Sequence, residues 1–257
     1  MRAVCCEATV LRHEAVTEDV RLLTVRWSDA DHQPHAGQFF TLRAWAANEA
    51  PFLSRPISVH SWDAQTQTLE FLYQVVGEGT EKIAALKEGE TFQLTGPMGN
   101  GFDVKSIAEQ YKKIAVVGGG IGTAPMYQLT RELAEAGVKP DVFFGFRDTP
   151  YCMEEYRSIA NCVKVSTDTG AVGFHGFVTQ LYDPADYDVV LVCGPTVMMK
   201  NAARLCAEKG TPCLVSLEKK MACGIGACLG CTCQTKGGEG KSVCKHGPVF
   251  DATEVFF

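Results

Sequence analysis

KKIAVVGGGIGTAPMYQLTRELAEAG, Lys112 to Gly137, decides the fold. Its opening apolar run shows no polar alternation, the mark of a strand buried on both faces of a parallel sheet. A glycine turn and a helix ending at Gly137 follow. The same rhythm continues downstream, with strand DVFFGF, helix CMEEYRSIA, strands CVKVST and DVVLVCG, helix TVMMKNAARLCAEKG and strand PCLVSL. Alternation of this kind predicts a parallel α/β sheet with helices on both faces. Ligands of such sheets sit at the carboxyl ends of the strands. Three of those ends carry unusual residues: Gly118 to Gly122, Arg147-Asp148, and Cys193-Gly194-Pro195.

Upstream the rhythm is different. EATVLRHEAV, VRLLTVRW, GQFFTLRAW, RPISVHSW, TLEFLYQVV and ETFQLTGPMG are short runs rich in Val, Leu, Phe and Thr, separated by turn residues. Six such strands predict a small antiparallel barrel or sandwich. One helix, GTEKIAALKEGE, interrupts them, beginning at Gly79-Thr80 and stopping at Gly89. Downstream of Glu218, Gly, Cys and Lys dominate, TKGGEGKS reads as a mobile turn, and no periodic apolar pattern remains. That segment needs a staple. The chain therefore divides into a β domain at 1–101, an α/β domain at 102–217 and a small segment at 218–257.

The 257 residues carry 46% hydrophobic and 21% charged side chains, as a soluble globular protein does. A balance of 24 basic against 30 acidic residues, without a polybasic run, argues against nucleic acid as a partner. No apolar stretch reaches the roughly 18–20 residues a membrane span requires. The N-terminus lacks a signal core, which predicts a cytoplasmic protein with reduced thiols. Twelve cysteines in that compartment point to metal or redox chemistry. Cys152, Cys162, Cys206 and Cys213 fit the pattern of small buried side chains, and Cys5 and Cys6 read as structural.

Four cysteines stand apart. Cys223, Cys228 and Cys231 are separated by four and two residues, and Cys244 follows after twelve more. This is the spacing of plant-type [2Fe–2S] ferredoxins, in which four thiolates converge on two irons. Gly224, Gly226 and Gly230 inside the trio allow positive φ and close approach of backbone N–H groups to sulfur. The alternative is a structural zinc site, whose ligands usually come as paired knuckles and fit a lopsided trio less well. Cys233 reads as a bystander and His246 as a surface residue.

A cluster moves single electrons and needs a source. The run Gly118, Gly119, Gly120, Gly122 and Thr123 has the position of a phosphate-binding turn, although Thr123 stands where a third glycine of GxGxxG belongs. Cys193 and Gly194, in CGPTVMM, end a strand beside the same crevice, where a nicotinamide ring would lie. In the β domain Arg55-Pro56-Ile57-Ser58 offers a guanidinium suited to a pyrophosphate and a hydroxyl suited to a flavin. Gly79-Thr80 offers a second anion site.

In order, RPIS, LYQ seven residues before GT, GGGIGTAP and CGPTVMM resemble the ferredoxin–NADP reductase superfamily. The ending SLEKKMACGIGACLGC…C resembles one branch of it, the electron-transfer subunits of class 1B dihydroorotate dehydrogenase. The resemblance runs over essentially the whole chain and implies a flavin-binding barrel ahead of a pyridine-nucleotide domain. It implies FAD contacts at Arg55, Pro56, Ile57, Ser58, Leu72, Tyr73, Gln74, Gly79 and Thr80, and cluster ligands at Cys223, Cys228, Cys231 and Cys244. Gln74 departs from it, since relatives often carry Arg there, and Leu229-Gly230 is smaller than the aromatic-containing loop of the family.

The implied function is a relay between NAD and an FMN-containing catalytic subunit, in a heterotetramer of two plus two, serving pyrimidine synthesis. No residue looks like an acid, base or nucleophile for the pyrimidine itself. Arg147 could favour an NADP 2′-phosphate and Asp148 an NAD ribose, so NAD is implied by the resemblance alone. Rival readings are a subunit of a hydrogenase or transhydrogenase complex, a stand-alone NAD(P)H flavoreductase, or a zinc-binding module without catalysis. If the cluster lies in the path, Cys228→Ser abolishes dihydroorotate-dependent NAD reduction. Intact transfer would exclude it.

Overall fold

The computed structural model describes residues 3–255. Strands β1 (Val4–Ala15), β2 (Val20–Arg26), β3 (Phe39–Arg43), β4 (Arg55–Ser58), β5 (Ser61–Asp63), β6 (Thr68–Gln74) and β7 (Thr91–Met98) form one antiparallel sheet, in the order β4-β3-β7-β1-β2-β6-β5. The run RPISVHSW, read from sequence as one strand, is two. The Val59 N–H donates to the Gln38 carbonyl at one edge of the sheet, and the His60 N–H donates to Glu70 at the other. The chain thus steps from edge to edge between neighbouring residues, and this curls the sheet into a barrel. Trp27, Phe40 and Phe71 fill its core edge to face, with ring centroids 5.1 and 5.7 Å apart. Helix α1 (Glu78–Ala84) lies where expected but stops short of Gly89, because the Leu86 N–H turns to Ile83 and tightens the last turn.

The α/β domain runs through α2 (Val104–Gln110), β8 (Ile114–Gly119), α3 (Ala124–Glu135), β9 (Asp141–Phe146), α4 (Glu154–Arg157), β10 (Cys162–Thr167), β11 (Phe174–His175), β12 (Val189–Cys193), α5 (Thr196–Lys209) and β13 (Cys213–Ser216). Its sheet has the order β11-β10-β9-β8-β12-β13, and every pair is parallel. All residues of β8 and β12 are buried, as their unbroken apolar runs require. Helix α2 has no counterpart in the sequence reading. CMEEYRSIA forms a single helical turn anchored by buried Tyr156, whose hydroxyl donates to the Thr123 carbonyl.

The last segment contributes β14 (Thr232–Gln234), β15 (Gly240–Ser242), α6 (Val243–His246) and β16 (Val249–Asp251). Strand β16 adds antiparallel to β13 and so extends the α/β sheet. Asn100, at the barrel's end, donates its carboxamide N–H to the Lys245 carbonyl (3.0 Å) and its backbone N–H to Gly247 (2.6 Å). The segment is therefore stapled to both domains by backbone pairing. No described helix is long and apolar enough to cross a membrane.

Helix α3 locks the domains together. The Trp62 N–H donates to the Gln128 side-chain oxygen (2.8 Å), the Ala36 N–H to a Glu132 carboxylate oxygen (3.0 Å), and the Arg131 guanidinium to Ser61 and the Trp62 carbonyl. His60 is buried, donates from Nδ1 to the Ala124 carbonyl (2.7 Å) and stacks on Tyr127 with ring centroids 5.0 Å apart. Desolvation lowers the His60 pKa from 6.5 to about 4. The unfolded chain protonates this imidazole below pH 6.5, whereas the folded chain resists until pH 4. Stability therefore declines as pH falls across that window, by up to about 3 kcal/mol. Urea titrations between pH 7 and 4 should show this slope and lose it in His60→Gln.

Candidate functional site

A cavity of about 550 Å³ opens where the three segments meet. The barrel supplies Phe39, Pro56, Ile57, Ser58, Leu72, Tyr73, Gln74 and Val76. The α/β domain supplies Ile121, Ala124, Pro125 and Cys193, and the stretch Ser216 to Met221 closes the rim. Mostly apolar walls with a few convergent polar groups suit a planar aromatic ring. Behind Ile121 and Cys193 the two glycine motifs touch. A Cβ on Gly122 would lie 2.5 Å from the Gly194 Cα and 2.7 Å from the Cys193 carbonyl, and one on Gly119 would lie 2.5 Å from Met198 Sδ. Strand ends β8 and β12 thus form one crevice. Cys193 is buried, and desolvation pushes its thiol far above the ordinary range, with the Glu218 carboxylate adding to the effect. It stands in the crevice as a neutral thiol.

Arg55, Gly79 and Thr80 do not line this cavity. Arg55 lies across Gly79 instead: a Cβ there would sit 2.3 Å from the guanidinium Nε. The Thr80 hydroxyl is occupied, accepting from the Val76 and Gly77 N–H groups (2.9 and 3.1 Å) and donating to the Gly77 carbonyl (2.8 Å). It shapes the turn. Tyr73 presents its ring to the cavity while its hydroxyl pairs with His13 Nε2 (3.0 Å), whose Nδ1 donates to the Leu86 carbonyl. Gln74 donates to the Asp19 carboxylate (2.6 Å). Arg147 is almost fully exposed, pairs with Asp148 at 3.7 Å, and borders a separate depression with Glu18, Asp19 and Arg21.

The cysteines form two pairs bound by sulfur-to-amide contacts. Cys223 Sγ accepts from the Cys228 N–H, and Cys231 Sγ from the Cys244 N–H, both at 3.4 Å. Cys228 Sγ accepts from Gly230 (3.4 Å) and Cys244 Sγ from Gly226 (3.0 Å). All four sulfurs are acceptors, the state that a thiolate ligand needs. The Cys228 N–H, assisted by those of Ile225 and Ala227, draws the Cys223 thiol below its ordinary pKa, whereas burial beside Cys231 raises that of Cys244. Among the described residues no group of three or more His, Cys, Asp or Glu is placed to hold a metal ion. A two-iron cluster takes two thiolates on each iron, the number that each of these pairs offers. Gly224 and Gly226 hold φ of +70° and +79°, and Leu229 is left-handed at +59°. Cys233 is different: it donates to the Lys241 carbonyl (3.3 Å), and burial raises its pKa, so it remains a thiol. His246 is exposed. Of the cysteines read as small buried side chains, Cys206 and Cys213 are buried, and Cys152 and Cys162 half-buried.

The sequence reading missed Phe39, Val76, Ile121 and the Ser216–Met221 rim. SLEKKM was visible between a strand and the first cysteine, but nothing local said that it turns back over the barrel. Met221 lines the cavity and Cys223 is two residues farther on. Their Cα atoms therefore lie within about 7 Å of each other, whatever the path between them.

Residues 7–102 match the family model of the oxidoreductase FAD-binding domain, and residues 218–256 match that of the iron-sulfur cluster binding domain of dihydroorotate dehydrogenase B. The chain is 47% identical over 219 residues, 85% of each chain, to the electron transfer subunit of dihydroorotate dehydrogenase B (NAD(+)) from Clostridium acetobutylicum. It is 36% identical to the subunit of the same name from Caldanaerobacter subterraneus subsp. tengcongensis, over 98% of each chain. Among solved structures, one of the NADH-dependent reduced ferredoxin-NADP oxidoreductase, which bears on flavin-based electron bifurcation, superposes with a TM-score of 0.86 at 28% identity. That match covers 97% of this chain and 89% of the other. A ferredoxin NADP+ reductase from Neisseria gonorrhoeae shares the fold, with a TM-score of 0.65 at 18% identity over 80% of this chain and 92% of that one.

A side chain at position 224 would meet both a left-handed backbone and Met98 Sδ, 2.6 Å from its Cβ. Gly224→Ala should therefore cost about 1–2 kcal/mol of local strain. Iron per chain should fall while flavin per chain holds, as read by iron assay and visible absorbance.

Proposed function

The chain belongs to the family of electron-transfer subunits of NAD-dependent dihydroorotate dehydrogenase B, and from that premise we propose how its residues carry the activity. It is an oxidoreductase subunit using FAD, an iron–sulfur cluster and NAD, and it works with a catalytic partner subunit. We assign the flavin ring to the cavity between Ser58, Tyr73 and Cys193, the flavin diphosphate to Arg55 and Gly79, and the nicotinamide to the crevice of Gly122, Cys193 and Gly194. The cluster falls to Cys223, Cys228, Cys231 and Cys244. When bound, flavin exchanges paired electrons with nicotinamide and single electrons with an iron–sulfur cluster.

The protein's part is placement. The α3 clamp fixes the barrel wall against the crevice. Cys193 offers a small neutral surface to a ring and cannot attack it as a thiolate. The four amide contacts favour charged sulfur, and Met221 brings the cysteine loop to the cavity wall. One observation carries this reading: a single cavity is walled by all three segments, with the first cysteine two residues from its rim.

The partner carries FMN in this reading, in an assembly of two plus two. It docks over the cysteine loop, where Ile225 and Leu229 are 60% and 66% exposed beside the exposed Cys228. Apolar residues around a redox centre fit a dry contact that shortens electron transfer. A second reading, a subunit of a bifurcating complex, draws on the similarity to the NADH-dependent reduced ferredoxin-NADP oxidoreductase.

An anaerobic pull-down from the native cells, assayed for dihydroorotate-dependent NAD reduction, separates the two readings. Activity with a co-purifying FMN protein supports the first. A flavin- and iron-containing complex without that activity favours the second. Ile225→Glu should weaken the catalytic subunit's affinity about tenfold, by calorimetric titration, with flavin and iron contents unchanged.

A further inference from the structure

The connection between β3 and β4, AWAANEAPFLS at residues 44–54, is largely exposed yet heavily bonded to itself. Arg43 donates Nη1 to the Phe52 carbonyl (2.7 Å), Nη2 to Ala46 (2.8 Å) and Nε to Trp45 (3.2 Å). The Trp45 indole N–H donates to the Pro51 carbonyl (2.6 Å). Glu49, near the tip, pairs with Lys82 of α1 at 3.5 Å. Two guanidinium groups flank the indole, with Arg43 Cζ 5.3 Å and Arg55 Cζ 5.8 Å from a ring centroid of Trp45.

The two cations differ in what remains of their donors. Arg43 spends each of its three nitrogens on the loop. Arg55 spends only Nη1, on the Leu53 carbonyl (2.6 Å). Among the described residues no carboxylate pairs with it, and its Nε and Nη2 meet no acceptor. Those two nitrogens lie against Gly79, 2.3 and 2.9 Å from where a Cβ would stand. A long arginine can normally swing away from such a contact. Here the indole and the Leu53 carbonyl hold it in place.

We propose that Trp45 is a positioning residue for the flavin nucleotide. Its indole, fixed by Arg43 and Pro51, presets the Arg55 guanidinium over Gly79, so that a diphosphate meets two unspent donors with the rotamer already selected. The proposal rests on the assignment of the FAD diphosphate to Arg55 made above.

The test uses the full chain stripped of flavin and titrated with FAD or riboflavin by fluorescence. Riboflavin shares the ring and lacks the diphosphate. Trp45→Leu, which keeps an apolar side chain and removes the π face, should weaken FAD about tenfold and leave riboflavin unchanged. Trp45→Phe should recover most of the loss, and Trp45→Leu should cost nothing further once Arg55→Ala is present. Equal weakening of FAD and riboflavin, unchanged FAD affinity in Trp45→Leu, or full additivity with Arg55→Ala would each overturn the proposal. The titration is independent of dihydroorotate, so failure of the pyrimidine assignment leaves it standing. A wild-type chain that ignores FAD would instead sink the flavin assignment.

Discussion

The grip of α3 on the barrel is the constraint that the rest of the structure depends on. Its polar contacts are made by groups shielded from water, where an unmade hydrogen bond is costly and a made one is strongly directional. Gln128 and Glu132 each cap a backbone N–H of the barrel, and His60 reaches back to the helix's first carbonyl. Because α3 begins directly after the glycine turn, the helix that ties the domains also sets the distance between the RPIS strand and the crevice. Moving the domains apart would break the two buried hydrogen bonds of His60 and Trp62 together with the part-buried ones of Ala36 and Arg131.

The cysteine loop depends on a different economy. Its sulfurs gain stability as acceptors from amides that a more extended chain could not aim inward, and left-handed turns at Gly224 and Gly226 aim them. Leu229 adopts a similar conformation with a side chain, at a cost of about 1–2 kcal/mol. Thr232 steadies it by donating its backbone N–H and its hydroxyl to the Leu229 carbonyl (3.2 and 2.7 Å). Strain and compensation thus sit side by side at the exposed face of the loop.

Much of this was legible in the sequence wherever the signal is local. The unbroken apolar runs of β8 and β12 stated their own burial, and the cysteine spacing fitted a two-iron cluster better than the paired knuckles of zinc. Features that arise from long-range pairing were not legible. The break between Val59 and His60 exists because successive N–H groups find acceptors at opposite edges of the sheet. Strand β16 is three residues with no periodicity, recognisable only once β13 is beside it. Gly79-Thr80 read as an anion site from its place at the start of a helix; that the Thr80 hydroxyl is taken up by the turn ahead of that helix was not legible. The Ser216–Met221 rim has no signature apart from where the chain is led next.

The contact between Gly122 and Gly194 changes what two familiar-looking motifs mean. They lie far apart in sequence and read as separate phosphate and nicotinamide signatures, yet a Cβ on Gly122 would fall on the backbone of Cys193 and Gly194, and one on Gly194 would meet Met198 and the backbone of Gly119. Most packing errors can be repaired by shrinking a neighbour. No residue is smaller than glycine, so a side chain acquired at position 122 has no second-site remedy at 194. Position 122 is thus closed by a neighbouring backbone that no substitution can thin, whereas at 194 the first obstacle is the end of the Met198 side chain.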